Sequence, residues 1–409
     1  MSDDRVEIEQ VASTFDHWSE DYAHDPHAVL GRLRAECPIA HSDNYGGFWV
    51  ATRYDDVASI TRDDKVFSSE WTGPFSGGVT LPPNNAYRMA FIEMDPPESL
   101  KYRRIVNPLF APPSVERITP HIRAIAHNAI DSFIDKGRVD IVHDYAEVIP
   151  ALTTMHILGL PGDNWREYVE FFHHLTGSEP DSEERRASTK EGNVVQRNLT
   201  ALLEDRRRHP REDGLSLLVQ AEIDGEPLSD RLALECATLL MIGGLDTTAA
   251  LFANTINYLG ENPVDRRRLR ENPALLEAAC EEFLRYFTPV QNLARNVAEP
   301  CELGGQKLQA GDRILVSWAA ANRDADHFDD PDVVDLERFP NRHQAFGLGT
   351  HRCLGSTLAR REFQVGIGEL LDRIPDYRVL DGQARRYDRL GANNGWTSMP
   401  IEFDPAPTT

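Results

Sequence analysis

Three short stretches carry residues whose types and spacing could do chemistry. The first is Phe346–Gly355, FGLGTHRCLG, where Cys353 stands among Gly347, Gly349 and Gly355 and His351 lies two residues before it. Glycines permit tight turns and let another body approach the backbone closely. The run STLARREF that follows reads as a helix, so Cys353 falls near a helix N-terminus. Partial positive charge there favours a thiolate.

A thiolate at that place can ligate a soft or borderline metal. No second cysteine lies nearby, which argues against an iron–sulfur cluster. Haem iron, by contrast, needs a single thiolate. The second stretch is GGLDTT, residues 243–248. Gly243 and Gly244 sit inside a long apolar helical pattern, at a cost of up to about 1 kcal/mol each relative to alanine. Asp246 and Thr247 follow Gly243 at i+3 and i+4, on or beside the bare face. This pattern has two readings. One is a groove over a cofactor, flanked by an acid and an alcohol. The other is a helix crossing packed through small residues, with the threonine bonded back to a carbonyl one turn earlier. The third stretch is EEFLR, which puts Glu282 and Arg285 on one helical turn; alone, such a pair reads as a surface ion pair of little value.

Other elements must hold these groups in place. Residues 229–260 predict one helix, with Ser229 as its cap and Gly260 and Pro263 as its stop. It would span about 45 Å at 1.5 Å per residue and be buried, because it is apolar on most sides. Residues 272–287 and the stretch after Gly355 predict further helices. FWVAT, the segment from Val290 to Val316 and the last ~35 residues read as short strands and turns. Residues 71–83 read as loop. Asp95, followed by two prolines, reads as a helix cap. The fold class is therefore mainly α with small β-sheets. The absence of βαβ alternation argues against a doubly wound nucleotide-binding fold.

The chain has 409 residues and a formal net charge of -23, which disfavours nucleic acid and anionic membrane as partners. The start, MSDDRVEIEQ, has no signal-peptide pattern. No apolar run approaches the ~18 residues of a membrane span, so a cytoplasmic location is expected. Five cysteines with no CxxC pair argue against a disulfide framework or zinc ribbon. His173-His174 lacks a ligand partner at helical spacing, and the charge run EDRRRHPRED reads as a solvated helix end.

The order of the three stretches resembles the cytochrome P450 haem-thiolate monooxygenases, bacterial soluble (camphor-hydroxylase-like) type. GGLDTT matches the family's oxygen-activation motif and EEFLR its Glu-x-x-Arg pair. FGLGTHRCLG fits Phe-Gly-x-Gly-x-His-x-Cys-x-Gly at every fixed position. EMDPPESLKYRRIVNPLF, AANRD and DLERF extend the likeness over nearly the whole chain, which implies one P450 domain over residues 1–409 with the long central helix over the haem.

The resemblance implies haem b as cofactor and Cys353 as its axial thiolate. Arg103, Arg295 and His351 would bind the propionates, and Phe346 and Gly347 would line the cofactor. Gly347, Gly349 and Gly355 would be backbone lying flat against the porphyrin. Asp246 and Thr247 would manage proton delivery during oxygen activation, with Gly243 and Gly244 admitting oxygen and substrate. Glu282 and Arg285 would form a structural ion pair. Ser99 stands where many relatives have histidine, which puts one propionate contact in doubt.

Substrate contacts implied by family regions are Phe75, Tyr87, Phe91, Leu240, Gly243, Gly244, Val290, Asn292, Asn394 and Trp396. They suggest an apolar pocket with a few amides and a phenol to orient the ligand. The implied activity is hydroxylation of a terpenoid, steroid, fatty acid or aromatic molecule by a monomer. Electrons would come from a separate ferredoxin and ferredoxin reductase, docking where KYRR and ARRE make a basic spot near Cys353. Three alternatives stay open: a peroxide-driven enzyme, oxidation of a carrier-bound or macrolide-like intermediate, and a non-enzymatic haem sensor or ligand carrier.

Overall fold

Asp230–Glu261 forms a single helix, and Ser229 caps it by accepting a hydrogen bond from the Leu232 amide at 3.4 Å. The computed structural model describes residues 2–83, 88–178 and 182–405. An apolar helix of this kind has to be covered on nearly every side, and two separate cores do this. Ala233, Ala237, Met241 and Leu245 pack with Tyr168, Phe172, Leu199 and Leu203 of the helices Trp165–Gly177 and Glu183–Arg208. Leu251, Phe252, Ile256 and Leu259 pack with Ile130, Phe283 and Phe363 of the helices Pro112–Asp131, Leu276–Phe287 and Ser356–Arg373. Phe252 meets Ser356–Arg373 at Gly366, where a Cβ would collide with its ring. The stretch between the two cores, around Gly243 to Thr248, is the part of the helix left for a site.

By length and composition Asp230–Glu261 could cross a membrane, contrary to the expectation that no stretch qualifies. Its most apolar window is 61% buried inside the fold, so burial against neighbouring helices explains the composition.

The main sheet has five strands in the order Ile39–Ser42, Phe48–Ala51, Arg313–Ser317, Asn292–Val297, Phe67–Ser68. Phe48–Ala51 runs parallel to Arg313–Ser317 and the other pairs are antiparallel. The C-terminal segment adds Tyr377–Val379, paired with Pro400–Phe403. Mainly helical architecture with small sheets is thus what the chain adopts.

Three local expectations need correction. Asp95 does not cap a helix; the helix Glu98–Phe110 starts without a side-chain cap. The Asp95 carboxylate instead accepts from Ser68 Oγ and the Ser69 amide, tying the strand Phe67–Ser68 to the following turn. Residues 71–83 are not all loop, since Trp71–Gly73 pairs with Ser76–Gly77. The charge run near residue 206 is not a solvated end. Arg206 is 2% exposed and donates to Asp213, Asp205 and the Gly159 carbonyl, because burying a guanidinium requires partners for its donors.

The Glu282–Arg285 pair is likewise internal. Both side chains are fully buried and joined by two bonds of 2.8 and 2.7 Å. Arg285 also donates to the carbonyls of Asn322, Pro331 and Val333, and Glu282 accepts from Arg338 and Asn341. The pair therefore fastens the segment 322–341, which leads into the cysteine loop, to the helix Leu276–Phe287.

Removing one partner leaves the other charge buried, at a cost of about 3–5 kcal/mol. Arg285→Ala should lose stability on that scale, read as a lower denaturant midpoint. Arg361→Ala breaks an exposed pair with Glu116 and should lose under about 1 kcal/mol. Similar midpoints for the two variants would contradict this account.

Candidate functional site

One cavity runs beneath the uncovered stretch of the central helix. Its roof includes Leu240, Gly243, Gly244, Thr247, Thr248 and Leu251, and the cysteine loop supplies Phe346, Gly347, His351 and Cys353. The cavity holds about 1430 Å³ of empty space, its open mouth included.

The cysteine loop is shaped by its own backbone. The Cys353 amide donates to the Phe346 carbonyl at 2.8 Å, closing the loop. Gly347 and Gly349 have φ of 64° and 68°, where a side chain is strained. At Gly349 a Cβ would also run into the Thr61 carbonyl. That glycine is thus required by the neighbouring helix Tyr54–Arg62, and it does not line the cavity. Gly355 lines the cavity but has an ordinary φ of -80°. Of the three glycines, only Gly347 combines a left-handed backbone with a place in the cavity wall.

Positive and donor groups converge at one end of the cavity. Arg103, Arg295, His351 and Trp318 all line it. Neither ring nitrogen of His351 has a hydrogen-bond partner, nor does the Trp318 indole nitrogen. Arg295 is 3% exposed and donates to the adjacent Ala294 carbonyl. Burial lowers its pKa to about 10, against the pull of Asp64 and Asp95. Burial, then Arg295 and Arg103, pull His351 down to about 3. Buried donors left without acceptors are costly, so this end of the cavity suits an anionic ligand.

Cys353 opens onto the cavity. Burial raises its pKa, and the Gly355 amide with Arg103, Arg352 and Arg360 only partly offsets this. The helix-end amide and the arginines thus lean toward the thiolate, as the sequence argument expected, but they do not outweigh burial. A coordinated metal cation does, because it deprotonates a ligating thiol. Ser99 is buried, its Oγ has no partner, and it does not line the cavity.

Gly243 and Gly244 divide the two readings of their motif. A Cβ on Gly243 would meet nothing within 4 Å, whereas one on Gly244 would collide with Thr154. Gly243 is therefore the open position, and Gly244 is a helix-crossing contact with Val148–Leu158. Thr247 lines the cavity and donates to the Gly243 carbonyl at 3.0 Å. Asp246 does not line it, contrary to the expectation that both lie beside the bare face. One residue is about 100° of helix rotation, which turns Asp246 toward Tyr387 and Asn393. Both donate to its carboxylate, at 2.7 and 2.6 Å.

Among the substrate contacts expected from sequence, Phe91, Leu240, Gly243, Gly244 and Val290 line the cavity, while Asn292, Asn394, Trp396 and Phe75 do not. Asn292 donates to the Gly391 carbonyl, Asn394 to the Phe287 carbonyl and Trp396 to Asn254. They brace the C-terminal segment instead. Phe75 is 65% exposed. Tyr87 lies outside the described residues. Sequence reasoning missed Trp318 and Glu362. Glu362 lines the cavity with an unpartnered oxygen; burial raises its pKa to about 8, against the pull of Thr153. No spacing rule singles out either residue.

The donor set fits a haem. One cysteine sulfur is available to a metal, Arg103 and Arg295 with the unpartnered His351 and Trp318 nitrogens stand ready for carboxylates, and the remaining walls are largely apolar. Among the described residues no cluster of three or more metal-ligating side chains occurs, which suits a metal carried inside a macrocycle.

Comparison with known proteins agrees. Residues 180–374 match the Cytochrome P450 family. The putative cytochrome P450 YjiB of Bacillus subtilis (strain 168) is 32% identical, over 86% of this chain and 88% of its own length. Linalool 8-monooxygenase of Pseudomonas putida is 32% identical, over 93% of this chain and 96% of its own. The solved structure of Mycobacterium marinum cytochrome P450 CYP268A2 in complex with pseudoionone superposes with a TM-score of 0.88 at 29% identity, covering 95% of this chain and 98% of that one.

Gly349→Ala should lower the haem-to-protein ratio after purification more than Gly311→Ala does. Both positions have positive φ, but Gly311 is open, so it carries only the backbone cost of about 1–2 kcal/mol. Equal haem contents would show that the Thr61 contact does not shape the loop.

Proposed function

The chain belongs to the cytochrome P450 family and is a haem-dependent monooxygenase, and from that premise we propose that it hydroxylates a hydrophobic small organic molecule in the terpenoid, steroid, fatty-acid or aromatic range. The carrying observation is the cavity. It joins Cys353 to unpartnered donors at one end and to apolar side chains under the central helix at the other. The expected amides face elsewhere, so the polar groups left to orient a substrate are hydroxyls such as Thr248 and the Glu362 carboxyl, and the apolar shape does most of the selection.

Cys353 would hold the iron of haem b, and Arg103, Arg295 and His351 would bind the propionates, the arginines through charge-assisted bonds. When bound, the haem would supply the oxygen-activating chemistry, using electrons from a redox partner so that one oxygen atom enters a C–H bond and the other leaves as water. Gly243 keeps the roof clear of side-chain atoms. Thr247 uses its hydroxyl hydrogen on the Gly243 carbonyl, which leaves its oxygen to accept from a water in the cavity. Asp246, one residue away, is the acid that replenishes that water. Leu240, Val290 and Phe91 press the substrate toward the reacting centre and exclude bulk water.

Electrons come from a separate ferredoxin and its reductase, docking beside Cys353. Arg352 is exposed there and its carbonyl accepts from Arg103. Arg360 and Arg361 are paired with Glu281 and Glu116, so fewer arginines are free for docking than the sequence suggested. The same reading takes the chain as one catalytic domain, monomeric and cytoplasmic.

A screen of linalool, testosterone, palmitic acid and naphthalene for the low-to-high spin change of the ferric haem tests the pocket. Apolar ligands should shift it, and a polar probe such as glucose should not. With the strongest apolar ligand, Thr247→Ala should keep the spin shift but divert most reducing equivalents to peroxide. Coupling of electrons to product at the wild-type level would remove Thr247 from proton delivery.

A further inference from the structure

Asp246 is enclosed by groups from three parts of the chain. Tyr387 and Asn393 of the C-terminal segment donate to its two oxygens. His173, from the helix Trp165–Gly177, places Nδ1 3.9 Å from Oδ1. The His173 ring also meets the edge of Tyr387 at 4.7 Å. Exposure differs along this chain of groups: the Asp246 side chain is 10% exposed and that of His173 is 30%. Tyr387 is held above its ordinary pKa, first by burial and then by Asp246, so its phenol stays protonated, and at 9% exposure it has little contact with solvent. Asn393 has no titrating proton. Among these partners His173 is the group that both reaches solvent and carries an exchangeable proton near neutral pH.

We infer that His173 is the port through which protons reach Asp246 from solvent. The inference rests on the relay reading of Asp246 and Thr247 given above. In the step, His173 first closes the 3.9 Å gap to hydrogen-bond distance; its imidazolium N–H bond at Nδ1 then breaks and an O–H bond forms at Asp246 Oδ1. This leaves a neutral imidazole, which takes a proton back from solvent. No electrons move. The Asp246 carboxyl then turns from Tyr387 and Asn393, gives the proton to the water that Thr247 holds, and returns to the carboxylate.

The charges around His173 support the resting state this requires. Burial lowers its pKa, but Asp246 and then Glu147 raise it, His143 opposes them, and the net shift is upward. Glu147 and His143 belong to the adjoining segment and bond each other at 3.1 Å; His174 lies beside the ring at 6.2 Å. Burial would raise Asp246, but His173, Tyr387 and Asn393 hold it below its ordinary value. The proton therefore rests on His173 and moves inward only when one is consumed. The His173–Asp246 ion pair is complete below the unfolded histidine value of 6.5 and is lost as pH rises through the raised folded value.

Two measurements on the holoenzyme test this. The first is an NMR titration of isotope-labelled histidine, with His173 assigned by comparison to His173→Gln. The imidazole should titrate above 6.5 in the wild type and fall to that value or below in Asp246→Asn. The second is oxygen consumption driven by NADH through an excess of a surrogate ferredoxin and reductase, with no organic ligand. The wild-type rate should fall as pH rises through the His173 value found by NMR. His173→Gln should be about tenfold slower, a fraction of what a general acid supplies, and level across that pH range. His173→Arg restores the charge but not a transferable proton, so it should be equally slow. His173→Asn replaces the Gln variant if haem is lost.

A wild-type rate in His173→Gln overturns the port. A wild-type rate in His173→Arg overturns it too, because the ion pair alone would then suffice. A slow Asp246→Asn beside a normal His173→Gln removes the port and keeps the relay. A normal Asp246→Asn removes the relay itself.

Discussion

A long apolar helix must be covered on every side, yet this one is left bare for about two turns, and the rest of the site depends on that gap. Asp230–Glu261 is buried by one core at its first half and by another at its second. Between them Gly243 faces open space while Gly244 closes against Thr154. Two adjacent glycines therefore do opposite jobs. One lets a neighbouring helix come close, and the other keeps the roof of the cavity free. The same stretch sends Thr247 into the cavity and Asp246 out of it, so an alcohol and an acid one residue apart serve two different environments.

The floor is built by a different constraint. The cysteine loop is closed by its own amide and held by the Tyr54–Arg62 helix at Gly349. Behind it, the buried Glu282–Arg285 pair fixes the segment that delivers the loop. In an acidic protein, the cavity end instead gathers Arg103, Arg295 and His351, with donors left unpartnered. That local reversal of sign accounts for the ability to hold an anionic, metal-bearing cofactor where the bulk surface would repel one.

Much of this could be read from sequence, for a physical reason. The ends of the central helix, its cap at Ser229 and the turn-forming glycines are local features, and local rules find them. The order of the three motifs carried the family and with it Cys353. What local rules missed was decided by distant partners. Asp95 looks like a cap but is claimed by Ser68 and Ser69. Arg206 looks solvated but is buried among Asp213, Asp205 and the Gly159 carbonyl. Asn292, Asn394 and Trp396 were expected at the ligand, yet their donors are used by backbone and by Asn254 across the C-terminal segment. Glu282 and Arg285 look like a surface pair until residues 322–341 are folded over them. His173 had no visible role until Asp246, seventy-odd positions later, came to lie beside it.

The central claim is that Cys353 supplies the axial thiolate of a haem. The most direct measurement is the absorption spectrum of the reduced protein with carbon monoxide, in the wild type and in Cys353→Ser. The wild type should show the long-wavelength Soret band of thiolate ligation, and Cys353→Ser should keep haem but lose that band. A wild type without the band, or a Cys353→Ser variant that retains it, would contradict the account.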